Sequence, residues 1–221
     1  MVLFPLLKKS AFIRGVALLL LLALFPGCAL LKFSDSDLKN FHTVIIDPGH
    51  GGYDSGARAV HGASEKNLAL DTAQRLKPLL EKKGYRVILT RTTDIFIPLG
   101  MRTAISNAHP NAIFISIHFN CSPRRTARGI ETYYCYNRPS ERLASSIFDE
   151  VSSFYGRRYN RGVKPAFFFV LSHNHHPATL LELGFVSNRN ENELIQNSNM
   201  RQELAERIAT AIQRVKGHSS P

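Results

Sequence analysis

With 221 residues, 44% of them hydrophobic, the chain can bury one substantial core, which excludes a disordered or low-complexity protein. Its 28 Lys and Arg against 17 Asp and Glu give a formal net charge of +11, a balance that suits an anionic partner such as wall polymer, lipid headgroups or nucleic acid. The basic residues are scattered and no nucleic-acid motif accompanies them, so no nucleic acid is expected as a partner.

Lys8, Lys9 and Arg14 precede the apolar run Val16 to Phe25, and Pro26-Gly27-Cys28 follows. A basic start, a short apolar segment and a small residue before a cut predict that residues 1–27 are a secretory signal peptide. The apolar run falls well short of the ~20 residues of a spanning helix, which argues against a retained membrane anchor. Cys28 is placed as in a bacterial lipobox, with Phe25 where leucine is usual and Pro26 an untypical neighbour. The expectation is a lipoprotein held to the membrane through Cys28, rather than plain secretion. Removing the leader takes three positive charges with it. Residues 28–42, polar and mixed, are expected to be a tether, 43–217 the folded domain and 218–221 a tail. Two cysteines remain, Cys121 and Cys135; an oxidising compartment would allow a disulfide, and two buried free thiols are the other reading.

Val44-Ile45-Ile46 running into Asp47-Pro48-Gly49-His50-Gly51-Gly52 predicts a buried strand that ends abruptly in a glycine-rich loop. The glycines are expected to let a group approach His50 closely. Ser64-Glu65-Lys66-Asn67 opens a helix with Leu68, Ala69, Thr72, Ala73, Leu76, Leu79 and Leu80 at helical spacing. Pro78 is expected to kink or shorten its last turn, and Gly84 to end it. Strand 85–90, a helix over 99–108, strand 112–118, strand 129–136 and a helix over 140–155 follow. Short strands are expected over 166–171 and 179–183, and an amphipathic helix carrying Leu204, Ile208, Ala211, Ile212 and Val215 closes the chain. This alternation predicts an α/β fold: one domain with a twisted, mostly parallel sheet flanked by helices on both faces.

Ligands of such sheets sit beyond the carboxyl ends of the strands. His50, His118 and Glu182 are read at those ends, and Glu65, opening the helix after the first strand, can reach the same rim. Two histidines and one carboxylate are the ligand set of several catalytic zinc sites that leave a position for water. A further carboxylate can take a proton from that water and pass it to a leaving group. Four residues therefore suffice for metal-assisted amide hydrolysis. Each has a plainer role open to it: a turn cap for His50, a core histidine for His118, a helix-dipole carboxylate for Glu65. Glu182, inside Leu180-Leu181-Glu182-Leu183, is harder to explain away, because a carboxylate there is costly to bury unpaired.

Asp47-Pro48-Gly49-His50-Gly51-Gly52, Glu65, Ser116-Ile117-His118-Phe119-Asn120 and Leu181-Glu182-Leu183-Gly184-Phe185-Val186-Ser187-Asn188 resemble, in order, the signature blocks of zinc-dependent N-acetylmuramoyl-L-alanine amidases of type 3. The resemblance covers about residues 43–215. That family cuts the bond between the lactyl group of muramic acid and the first L-alanine of the peptidoglycan stem. The resemblance implies one Zn2+ per chain on His50, Glu65 and His118, with Glu182 as general base and then acid. It places Glu131 near the site, orienting its neighbours, and Asn120 after the second histidine. Arg161 and Lys164 match a segment bordering the cleft, where they would meet stem-peptide carboxylates.

The implied substrate is peptidoglycan or a lipid-linked muropeptide, and the implied place is the bacterial envelope, in the periplasm. Some periplasmic members carry a long inserted helix after the Glu131 strand that blocks the zinc until an activator removes it. Here the Ser140 helix follows almost at once, so no obligatory activator protein is expected. His173, His175 and His176 are read as a solvated loop, with a second metal as the other reading, and Cys121 stands outside the ligand set. Two rival functions remain open to the sequence: a zinc carboxypeptidase or endopeptidase on wall peptides, and a non-catalytic wall-binding module.

Overall fold

The computed structural model describes residue 34 and residues 37–155 and 160–217. The expected leader, Cys28 and the 218–221 tail lie outside the described residues. Six strands form one sheet: β1 (Thr43–Pro48), β2 (Arg86–Leu89), β3 (Ala112–Asn120), β4 (Ile130–Tyr134), β5 (Asn160–Pro165) and β6 (Ala178–Phe185), in the order β2-β1-β3-β6-β4-β5. Neighbours are parallel except β4 and β6, which run antiparallel. The helices are α1 (Asp37–Asn40), α2 (Glu65–Lys82), α3 (Leu99–Asn107), α4 (Arg138–Tyr155), α5 (Phe169–Ser172), α6 (Arg189–Gln196) and α7 (Ser198–Gly217).

Alternation along the central strands sorts side chains to two faces. Val44, Ile46, Ile113, Ile115, Ile117, Leu181 and Leu183 join the larger core with α2, α4 and α7. Ile45, Phe114 and Leu180 join a smaller one with Val170 and Leu171 of α5. The smaller side is closed by polar ties between α3 and the end of α5: Ser106 Oγ donates to Asn174 Oδ1 at 3.0 Å, and Asn107 Nδ2 to the His173 carbonyl at 3.0 Å. His118 and Glu182 share strand parity with Phe114 and Leu180, so both face this thinly covered side.

Four expectations are corrected. Pro78 does not shorten α2, which continues to Lys82; the proline lies on the exposed side, where its missing N–H is no loss to the core, and buried Leu80 anchors the last turn. The strand expected over 166–171 is instead β5 over Asn160–Pro165, followed by the helical turn α5. Cys121, read as one of two buried thiols with a disulfide to Cys135 left open, is instead exposed, and as a free thiol it is not joined to Cys135. Residues 37–42 are not tether: Leu38 and Phe41 are 0% exposed, and the Phe41 ring stacks on Tyr85 with centroids 5.4 Å apart. Phe41→Ala is therefore expected to lower unfolding free energy by about 3–5 kcal/mol in urea titration, the cost of truncating a buried phenylalanine. An unchanged midpoint would return this segment to the tether.

Candidate metal centre

The last residue but one of β1 is Asp47, whose buried carboxylate accepts from Thr90 Oγ1 (2.6 Å), Ser116 Oγ (2.8 Å) and Arg102 Nη1 (2.7 Å). Arg102 also donates to the carbonyls of Pro48 and His50, and buried Arg91 to those of Pro48 and Gly49. Two guanidinium forks thus grip three successive carbonyls of the loop, and His50 is held there at φ 60. A non-glycine residue in that region is strained and persists only where its surroundings impose it.

The glycine before it serves a neighbour. A Cβ on Gly49 would lie 2.3 Å from His118 Cε1, so the close approach expected at His50 is made at Gly49, by the imidazole of His118. Gly56, at φ +66, does the same on the other side, where a Cβ would meet Glu65 Oε2 and His50 Cδ2 at 2.6 Å each. Glu65 comes around the rim from the first turn of α2. Its Oε2 accepts from the Ala57 N–H at 2.6 Å and its Oε1 from the Phe119 N–H at 3.1 Å.

Glu65 Oε1 lies 3.1 Å from His50 Nε2 and 3.0 Å from His118 Nδ1. Burial pushes the Glu65 carboxyl up, but the hydrogen bonds from His118 and His50 outweigh it and hold the group well below the usual carboxylate range. Burial lowers His50 while Glu65 and then Asp54 raise it, and the net direction is upward. His50 Nδ1 lies 2.9 Å from Asp54 Oδ2. An ionised carboxylate only accepts, so Nδ1 donates to Asp54 from behind, and Nε2, which faces Glu65, is the ring atom at which an ion would take the place of a proton.

One ligand atom from each of His50, Glu65 and His118 lies within 4.8 Å of the others, the one such group among the described residues. Nitrogen and oxygen ligands about 2 Å from a tetrahedral ion stand roughly 3.3 Å from one another. The separations of 3.0 and 3.1 Å, with the carboxylate ionised and His50 Nδ1 held by Asp54 from behind, fit a metal ion.

Glu182 sits on β6 in register with His118 on β3 and opposite Glu131 on β4. Its Oε2 is shut off from solvent with no hydrogen-bond partner. Burial first, then the carboxylates of Glu65 and Glu131, raises its pKa well above the ordinary glutamate value. Glu131 is itself paired: Oε1 accepts from Asn120 Nδ2 at 2.6 Å, and Oε2 from Lys164 Nζ and, at 3.2 Å, from Arg161 Nε. Burial raises Glu131, but Lys164 and Arg161 outweigh it and lower its pKa. The structure therefore brings Asn120, Glu131, Arg161 and Lys164 into one cluster beside Glu182.

A cleft of about 620 Å³ contains His50, Glu65, His118 and Glu182, with Asn120 and Cys121 at one side and Phe96, Leu99, Phe168 and Phe169 forming an apolar wall. His173, His175 and His176 do not converge. His173 stacks on Phe169 with centroids 4.0 Å apart, His175 is exposed, and the His176 Nε2 is buried without a partner. Sequence reading missed Asp54, Arg91 and Arg102. The first could have been found four residues after His50 in the glycine-rich loop; the arginines carry no motif.

The fold and this cleft define an α/β protein with a candidate metal centre at the sheet rim. The family model described as N-acetylmuramoyl-L-alanine amidase matches residues 44–214. The chain is 35% identical to the uncharacterised protein YqiI of Bacillus subtilis over 77% of its own length and 82% of that protein. It is 34% identical to the N-acetylmuramoyl-L-alanine amidase LytC of Bacillus subtilis over 75% of its length, but spans 34% of LytC. Among solved structures, the CwlD amidase from Clostridioides difficile, in complex with the GerS lipoprotein, superposes with a TM-score of 0.76 at 30% identity, over 80% of this chain and 98% of that one. The chain belongs to the N-acetylmuramoyl-L-alanine amidase family.

Proposed function

We propose that this protein hydrolyses the amide bond between N-acetylmuramic acid and L-alanine of peptidoglycan stem peptides, with one zinc ion on His50, Glu65 and His118 and with Glu182 as the acid–base group. The observation that carries this reading is the convergence of two imidazole nitrogens and an ionised carboxylate oxygen, with Glu182, whose Oε2 is shielded from solvent, in register with His118. Zinc bound there would polarise the substrate carbonyl and lower the pKa of water. Glu182, once ionised, takes the proton at its carboxylate and returns it to the departing amine nitrogen. Glu131 holds Asn120 and the two cations in place around it. Asp54 fixes the imidazole of His50 from behind.

The same reading places the protein in the bacterial envelope, facing the periplasm, with Cys28 as its lipid attachment and a lipid-linked muropeptide as the alternative to polymerised wall. Support for attachment comes from the basic and apolar leader ahead of Cys28. β4 ends at Tyr134 and α4 opens at Arg138, a short connection that leaves no room for an inserted helix there and supports a reading in which the cleft is open without an activator. The test is digestion of defined muropeptides by the purified protein alone, with and without chelator, read by mass spectrometry. Intact stem peptides released from sugar, lost on chelation and restored by zinc, are expected. Cleavage within the stem would make it a carboxypeptidase or endopeptidase, no cleavage a binding module, and dependence on a second protein would overturn the open cleft.

A further inference from the structure

A second cavity, of about 470 Å³, lies on the same rim and is lined by Arg58, Ala59, Val60, Arg125, Ser187 and Arg189. It adjoins the catalytic cleft by two routes. Ala57 lines the cleft and Arg58, the next residue, lines the cavity. Asn120 and Cys121 line the cleft, and the next residue along, Ser122, donates its N–H to Ser187 Oγ of the cavity wall at 2.9 Å. The backbone there is fixed: the Val60 N–H donates to the Val186 carbonyl at 3.0 Å, and the Val186 N–H to the Asn120 carbonyl at 2.9 Å. Three exposed arginines from three separate segments thus border one concavity. Among them the described residues contain one ion pair, Arg189 Nε to Glu193 Oε1 at 3.5 Å, with both side chains largely in water. Such a pair neutralises little.

The two flanks of the metal centre therefore differ in chemistry. Phe96, Leu99, Phe168 and Phe169 form an apolar wall on the side of the sheet that carries α3 and α5. The arginines lie on the other side, where Ala57 and Ala59 pack on the larger core with Ile195 of α6. Arg161 and Lys164, expected from the sequence to meet substrate carboxylates, are already held by Glu131. An incoming anion would have to compete with a buried carboxylate for them, whereas among the described residues the arginines across the rim meet only the exposed Glu193 and, from Arg125 Nη1 at 3.4 Å, the Ser187 carbonyl. Guanidinium forks match carboxylates in bidentate geometry.

We propose that Arg58, Arg125 and Arg189 form a carboxylate-binding shelf for the peptide portion of the substrate, continuous with the cleft. This rests on the amidase reading in one respect: the group leaving the metal centre is the amine of an acidic peptide, whose carboxylates must lie along the rim. The sugar portion is left the apolar wall.

The test uses the full protein and the triple variant Arg58→Gln/Arg125→Gln/Arg189→Gln. Binding of a free stem peptide by calorimetry is read apart from turnover, so it stands even if no muropeptide is cleaved. The wild type is expected to bind the peptide with free carboxylates about tenfold more tightly than the triple variant, the change for one lost charge-assisted contact. A peptide with amidated carboxylates should bind both proteins equally and weakly. In cleavage assays KM on the free-acid muropeptide should rise by a similar factor with kcat unchanged. Equal losses on both peptides, no loss on either, or binding of inorganic phosphate but not of the acidic peptide would each overturn the shelf. Failure of the wild type to cleave any muropeptide would instead count against the amidase reading.

Discussion

Glu182→Ala is expected to lower turnover on muropeptides by about 10²- to 10⁴-fold, the range that a positioned acid–base group contributes. Metal content per chain should stay the same, because among the described residues the converging ligand atoms belong to His50, Glu65 and His118. The two readouts separate proton transfer from metal loss. A third readout is thermal stability. Glu182 is a poor structural residue: its Oε2 is buried without a partner, and the carboxylates of Glu65 and Glu131 oppose its ionisation. Removing such a group relieves a desolvation cost, so the melting temperature of the variant should not fall. The raised pKa also fixes the direction of the pH profile. Glu182 must be ionised to accept a proton, so activity is lost as pH falls through its pKa. Glu131→Gln removes one neighbouring negative charge and leaves Arg161 and Lys164 unbalanced, which favours ionisation of Glu182 and should move the acidic limb of kcat/KM to lower pH. Wild-type turnover in Glu182→Ala would assign proton transfer to another group.

The parts legible in the sequence are those whose physics is local. Val44-Ile45-Ile46 had to be a buried central strand because three β-branched residues end in a Pro-Gly turn, and it is buried on both faces. Glu65 opens α2 as the Ser-Glu-Lys-Asn signal implies. What escaped depends on partners far along the chain. β5 carries one aliphatic side chain, Val163, among Asn, Arg, Gly, Lys and Pro, and an edge strand paired on one side leaves no alternation to read. The Phe167-Phe168-Phe169 run looked like a strand because it is apolar, yet all three rings are exposed at 40% or more, and Phe168 and Phe169 border the cleft. Leu38 and Phe41 are two apolar residues in a polar stretch, too few to show a period, although both are wholly buried. Arg91 and Arg102 resemble surface cations in sequence. Only the fold reveals that they bind the carbonyls on which the His50 loop depends.

Gly49→Ala isolates the demand that this packing makes on the metal centre. Gly49 has no left-handed backbone, so alanine is tolerated by the main chain and the effect is one of space alone. The added Cβ falls 2.3 Å from His118 Cε1, 2.5 Å from Nε2 and 2.6 Å from Nδ1, distances that real atoms do not adopt. Either the β1 loop or the His118 ring must shift. The loop is held by Arg91 and Arg102 through three carbonyls, so the ring is the softer partner. Its movement takes Nδ1 away from Glu65 Oε1, now 3.0 Å distant, and opens the ligand set. Metal affinity is expected to fall by about 10- to 100-fold, as when a group that orients a ligand is lost. Turnover at limiting metal should fall in parallel, and overpacking should lower stability by about 1–3 kcal/mol. Gly100→Ala provides the contrast: a Cβ in the first turn of α3 meets nothing within 4 Å, so stability should hold or rise by about 0.4–1 kcal/mol with metal binding unchanged. If Gly49→Ala bound metal as tightly as Gly100→Ala does, His118 would not be a ligand, and the ion would have to be held elsewhere.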